Sequence, residues 1–177
     1  MGMKVILVEQ NLIDATSEFA QDVFIDYYTD LIGKQQSLYM ANLFLSKQAI
    51  TELINKGAIF KLVMEDDKPI AFFEYVLEEK KVFLSKLYVR KDYRKKGVSR
   101  LMLDDCIKYA KQNNRNAIYL TVNKGNTNSI EVYNHYGFKE IDAVVNDIGN
   151  GYVMDDYIME LKVWKIRNPN PGFLLIV

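Results

Sequence analysis

The chain has 177 residues, 49% of them hydrophobic and 26% charged, which suits a soluble globular domain with a sizeable core. Its 23 basic and 23 acidic residues cancel, so the whole-molecule positive field that drives nucleic-acid binding is absent. One cysteine excludes an intrachain disulfide, a single histidine argues against a zinc site, and no apolar run approaches the roughly 20 residues of a membrane span.

A run rich in Val, Ile and Leu at residues 4–8 reads as a buried strand. Asp14 or Thr16 is placed to cap a helix whose apolar stripe is Phe19, Ala20, Val23, Tyr27 and Leu31. Gly33 interrupts it, and a second helical region follows. Ser46 caps the last piece of that region, Ile50, Leu53 and Ile54 form its apolar face, and Gly57 supplies a left-handed stop. Residues 58–64, 70–77 and 82–89 then read as three strands, separated by charged turns at 65–69 and 78–81. Leu103, Cys106, Ile107 and Ala110 restore helical spacing, with Val98 and Met102 extending the stripe backwards. Residues 117–122 form the next strand. Ser129, Val132, Tyr133 and Tyr136 stripe a further helix that Gly137 closes, and Phe138 opens a final strand pair, to about 145 and from 152 to 163. The expectation is one α/β domain over residues 1–177, with 168–177 an extended tail. A single cysteine is compatible with a reducing compartment, and the apolar start reads as a strand rather than a signal peptide, so a cytoplasmic protein without nucleic-acid, membrane or metal partners is the default expectation.

The segment most informative about function is the turn between the strand ending near Val89 and the helix beginning near Gly97. Arg90, Lys91, Arg94, Lys95, Lys96 and Arg100 lie within eleven positions of a neutral chain. A helix N-terminus carries unpaired N–H groups and the positive end of the peptide dipoles, so it favours phosphate. Gly97 lets the backbone come close to a diphosphate. The spacing is neither a P-loop nor a dinucleotide fingerprint. Taken alone, the turn is equally compatible with a solvated basic loop.

Two segments together resemble the GNAT family of N-acetyltransferases, in its bacterial form. RKKGVS fits the signature [QR]-x-x-G-x-[GA] on Arg94 and Gly97, with Ser99 in the last position. NTNSIEVYNHYGF is similar to the family's N-x-x-A-[IL]-x-x-Y-x-x-x-G-F segment on Asn126, Ile130, Tyr133, Gly137 and Phe138, with Ser129 for Ala. The resemblance implies a mixed, mostly antiparallel sheet of six or seven strands, helices on both faces, and a fourth and fifth strand that splay apart to admit the pantetheine of acetyl-CoA. It further implies that backbone groups of Leu87, Tyr88 and Val89 pair with the pantetheine amides. Backbone N–H groups from Lys95 to Arg100, with Val98 and Ser99 among them, would hold the diphosphate. Asn126 would bond the cofactor arm, and Tyr133 would protonate the departing thiolate. A homodimer is common in the family.

Acetyl transfer needs a neutral amine, support for the developing oxyanion, and a proton for the leaving group. Tyr133, with an ordinary pKa near 10, is protonated at neutral pH. The general base is open: Ser85 stands where some members carry a Glu, leaving Glu74, Asp155, Asp156 or water. Cys106 reads as a small core residue and His135 as a surface one, so direct transfer in a ternary complex is expected. A small-molecule amine such as a polyamine is the expected acceptor; a peptide acceptor and a non-catalytic acyl-CoA-binding module are the alternatives.

Overall fold

The structure, a computed structural model, describes residues 2–163; the tail expected at 168–177 lies outside the described residues. The chain runs β1 (Lys4–Leu7), α1 (Ile13–Ile32), α2 (Lys34–Leu45), α3 (Lys47–Asn55), β2 (Ile59–Glu65), β3 (Lys68–Leu77) and β4 (Lys81–Val89). It continues through α4 (Val98–Gln112), β5 (Ala117–Asn123), α5 (Thr127–His135), β6 (Lys139–Gly149) and β7 (Tyr152–Lys162). The seven strands form one sheet in the order β1-β2-β3-β4-β5-β7-β6. Every pairing is antiparallel except β4 with β5. This is the mixed α/β architecture expected from the sequence.

Two apolar layers enclose the sheet. On one face the buried stripe of α4, Val98, Met102, Leu103, Cys106 and Ala110, packs against β3, β4 and β5. On the other, Ala20, Val23 and Phe24 of α1, Met40 and Leu45 of α2 and Ile50 of α3 pack against Phe60, Leu62 and Phe72. Ser46 caps α3 as expected, its hydroxyl accepting from the Ala49 N–H at 3.3 Å. The cap expected for α1 is absent. A short 3-10 turn at Gln10–Leu12 leads into the helix, and no side chain caps it at Leu12. Burial of Ile13, 1% exposed, sets the start one residue ahead of Asp14. Asp14 pairs with Lys47 at 2.7 Å instead, and Thr16 is buried within the helix.

The local feature that shapes the site is in β4. Tyr75 faces Leu84 across the ladder, yet Glu74 faces Lys86, so Ser85 is an extra, unpaired residue. A bulge of this kind bends its strand and reverses which side chains face which layer. Val82 and Leu84 meet the α4 layer before the bulge, and Leu87 and Val89 meet it afterwards. Tyr88 is thereby turned to the α1 layer. The parallel pairing of β4 with β5 covers Lys81–Phe83 against Ala117–Tyr119, and the strands then part.

The bulge also sets Lys86 beside Glu74 in the interior, at 2.8 Å. Glu74 is wholly buried and its second carboxylate oxygen has no partner among the described residues. Removing one member of a buried pair leaves the other charge uncompensated. Glu74→Ala should therefore lower the unfolding free energy by about 3–5 kcal/mol in urea titrations. Glu74→Leu combined with Lys86→Met should recover most of that loss; a double variant as unstable as the single would refute this account.

Candidate active site

Between the parted strands lies a cavity of about 220 Å³. Nine of the twelve residues expected at the cofactor site line it: Leu87, Tyr88 and Val89 of β4, Arg94, Lys95, Val98 and Ser99 of the turn and α4, and Asn126 and Tyr133 at α5. Lys96, Gly97 and Arg100 stand outside its wall. Lys96 lies 5.0 Å over the Tyr93 ring, and Arg100 is paired with Asp104 at 2.9 Å.

Gly97 is the N-cap of α4 with φ of +81°, and Lys95 before it also has positive φ, at +60°. A Cβ at Gly97 would meet no atom within 4 Å, so the glycine answers to backbone conformation rather than to space within the protein. The backbone bond from the Leu101 N–H to the Gly97 carbonyl, 3.1 Å, opens the helix. It leaves the N–H groups of Val98, Ser99 and Arg100 without helical acceptors, and no side chain caps them. Such a terminus is suited to an anion. The Ser99 hydroxyl is within 3.2 Å of the Tyr136 hydroxyl, so its departure from Gly or Ala is absorbed by a contact with the end of α5.

The main-chain groups along the gap can be assigned from the ladders. Arg90 donates to the Ile70 carbonyl at 3.0 Å. Alternation along an antiparallel pair then ties the groups of Tyr88 to Phe72 and aims those of Leu87 and Val89 into the gap. The bond from Val163 to the Asn116 carbonyl sets the same alternation on β5, where Thr121 and Asn123 face the gap. Tyr88 therefore presents its ring, not its backbone. Arg94 folds over this edge, with Nε donating to the Val89 carbonyl at 3.0 Å and the guanidinium 4.9 Å above the Tyr27 ring.

Asn126 is 5% exposed and caps α5, its Oδ1 accepting from the Ser129 N–H at 3.2 Å and from the Tyr27 hydroxyl at 2.7 Å. Tyr133 packs its ring on Phe138 with centroids 5.5 Å apart. Burial raises its phenol well above the ordinary value, and the nearby Tyr28 and Tyr27 add to the effect.

A second cavity, about 160 Å³, opens on the α1 side of the gap and shares Tyr28, Ser85, Tyr88 and Thr121 with the first. Of the three carboxylates considered as bases, Asp156 lines this cavity and is 3% exposed. Burial raises its pKa above the usual carboxylate range; a hydrogen bond from Thr121 opposes this, Asp155 adds to it and Lys124 opposes it. Asp155 is half exposed and paired with Lys124 at 2.6 Å. Glu74 lines neither cavity and is held by Lys86. His135 is exposed at the end of α5, and burial drives the Cys106 thiol far above its ordinary pKa, away from thiolate chemistry.

The family model described as Acetyltransferase (GNAT) family matches residues 18–138, more than half of the chain. The chain belongs to the GNAT acetyltransferase family. It is thus an acyl-CoA-dependent N-acetyltransferase. Among solved structures, it is similar to a PaiA N-acetyltransferase from Thermoplasma acidophilum in complex with coenzyme A, at 21% identity and a TM-score of 0.79. That match covers 92% of this chain and 99% of the other. The ribosomal-protein-S18-alanine N-acetyltransferase from Escherichia coli matches at 15% identity and a TM-score of 0.67, over 98% of this chain and 100% of that one. A GNAT family acetyltransferase from Elizabethkingia anophelis with acetyl-CoA bound matches at 13% and 0.63, over 90% and 97%. At these identities the structures share the fold with this GNAT protein.

Sequence reasoning missed Tyr27, Tyr28, Thr121 and Lys86. Tyr27 was seen as helix stripe, but its hydroxyl reaches Asn126 and lies 2.9 Å from that of Ser129. Tyr28 is one position off that stripe, and its one signal was the adjacent aromatic pair. Gly97→Ala is expected to cost about 1–2 kcal/mol through the left-handed backbone alone. Gly97→Asn, which tolerates that conformation, should cost less; equal thermal unfolding of all three proteins would contradict this.

Proposed function

We propose that this GNAT enzyme moves the acetyl group of acetyl-CoA directly to the primary amine of a small molecule in a ternary complex. The observation that carries the reading is the meeting of two cavities at Tyr28, Ser85, Tyr88 and Thr121, one on each side of the parted strands. The first suits the pantetheine arm and diphosphate of coenzyme A: a slot with main-chain groups along its edges ends at a basic turn with free helix N–H groups. The amine arrives through the second.

In this scheme acetyl-CoA supplies an activated acyl group as a thioester. The N–H groups of Val98, Ser99 and Arg100 hold the diphosphate, aided by Arg94, Lys95 and Lys96, on a turn shaped by Gly97. Leu87 and Val89 pair with the pantetheine amides and support the developing oxyanion. Asn126 and Tyr88 border the arm. Asp156 takes a proton from the incoming ammonium, because a carboxylate above its usual range is the stronger base. Tyr133 keeps its proton through the neutral range and delivers it to the leaving sulfur. The second proton, shed by the nitrogen as the tetrahedral adduct collapses, restores the Tyr133 phenol through solvent, and Asp156 releases its own to water.

A small-molecule acceptor is favoured over a peptide by the way the strand pair β6–β7 sits on α2. The Tyr39 hydroxyl donates to the Ile148 carbonyl at 2.6 Å, and the Gln36 amide donates to the Val153 carbonyl at 3.1 Å. The Tyr39 and Tyr152 rings lie 5.3 Å apart. These contacts join α2 to the β6–β7 pair beside the second cavity, where a peptide would need an open groove.

Tyr133→Phe should bind coenzyme A as the parent does while kcat falls about 10²-fold or more, within the range for general-acid loss. Unchanged turnover would remove Tyr133 from the mechanism. The pH profile supplies a separate test. Asp156 has a raised pKa, so its basic form is lost on acidification earlier than for an ordinary aspartate. The acid limb of kcat/KM should fall with Asp156 protonation, and Asp156→Asn should be slower and lack that limb. A variant with the parent's limb and rate would exclude Asp156 as the base.

A further inference from the structure

Resting on that reading, we propose that the acceptor is a monoamine on an apolar body, an arylalkylamine or short alkylamine, rather than a polyamine. The second cavity encloses about 160 Å³. An apolar cavity of about that size takes up a benzene ring. Its floor is aromatic and rigid. Phe24 stacks on Tyr28 at 4.5 Å, and Tyr88 lies 5.6 Å from Phe24 and 6.0 Å from Tyr28. Opposite them Met40 and Phe44 of α2 and Met154 of β7 complete an apolar wall, in which methionines adapt readily to an irregular ligand.

The charges on this wall decide the class. Among its lining residues Asp156 is the sole carboxylate and Lys86 the sole cation. One ammonium is therefore answered, near the junction with the cofactor cavity, where Thr121 is shared. A second or third ammonium of a polyamine would meet no further carboxylate among the lining residues, only the neutral amides of Gln36 and Asn123, the Ser85 hydroxyl, apolar side chains or Lys86. Lys86 is itself held by Glu74 at 2.8 Å and lies 5.6 Å over the Phe60 ring, so it keeps its charge in place. Burying an unpaired ammonium there is strongly unfavourable, whereas a ring or alkyl chain gains from leaving water. Asp155, next to Asp156 in the chain, adds no second carboxylate to the cavity, since it lines neither pocket and is taken by Lys124.

The test uses the purified chain with acetyl-CoA and four amines: 2-phenylethylamine, hexylamine, putrescine and spermidine. Thiol release gives turnover, and calorimetry with coenzyme A present gives amine binding without chemistry. At least one monoamine should exceed spermidine in kcat/KM by tenfold or more. Phe44→Glu, which adds a carboxylate to the wall, should narrow or reverse that ratio while leaving the KM for acetyl-CoA unchanged. Faster acetylation of spermidine than of both monoamines overturns the proposal and leaves the acetyltransferase reading standing. Monoamine binding in the coenzyme A complex without turnover of any amine supports the pocket's class and sinks the catalytic reading. Absence of monoamine binding together with absence of turnover overturns the proposal.

Discussion

Much of this molecule follows from a ladder that stops early. β4 and β5 are neighbours in the sheet, yet they pair over three residues of β4 and then diverge. Backbone N–H and C=O groups taken from water without partners cost about 1–3 kcal/mol each, so an opened seam in the middle of a sheet has to be compensated. Here Arg94 covers one carbonyl, at Val89, and aromatic side chains line the remainder of the opening. The bulge at Ser85 is the local device that bends β4 away, and it brings a consequence for packing. By reversing the face of every later residue it sends Tyr88 to the α1 layer, Leu87 and Val89 to the α4 layer, and Lys86 to Glu74.

The seam is closed at its two ends by contacts that tie distant parts of the chain. Tyr27 of α1 bonds to Asn126 at the cap of α5, 99 residues later, and Arg94 lies over the same tyrosine while approaching Asp26 at 3.6 Å. Helices from opposite faces of the sheet are thereby joined across the opening. Beside the second cavity, α2 receives the turn of the β6–β7 pair. A Cβ at Gly149 would come within 2.9 Å of the Tyr39 hydroxyl, which shows how close that approach is. The cavity walls thus belong to elements fixed by long-range bonds, as an arrangement that orients two substrates requires.

Charge is distributed with the same economy. A chain with balanced charge concentrates its basic residues at one turn, where the peptide dipoles of α4 already favour an anion. Among the described residues the buried carboxylates are Glu74, paired with Lys86, Glu160, held by Lys81 and Lys162, and Asp156, whose raised pKa comes first from burial. Tyr28, pushed up to about 12 by burial, stays protonated where the two cavities meet, and Tyr133 stays protonated in the wall of the first. The two adjoining cavities therefore carry weak acids and one strengthened base in a partly apolar setting, in which electrostatic effects are less screened than in water.

Element types and order were legible along the chain because hydrophobic period, turn residues and glycine stops act over a few residues. The basic turn at 94–99 and the Tyr133 segment were legible for the same reason, and their separation pointed to the family. The cap of α1 was misread because burial of Ile13 outweighs the local preference for Asp14 or Thr16. What no local signal could decide was which groups converge. The alternation that turns Tyr88's backbone away from the gap depends on the register with β3. That Asp156 lines the second cavity while Asp155 and Glu74 are held by Lys124 and Lys86 depends on contacts far apart in the chain. Local sequence was enough for the elements and for a basic turn suited to phosphate; the walls of the two cavities follow only from tertiary contacts, because those contacts join residues far apart in the chain.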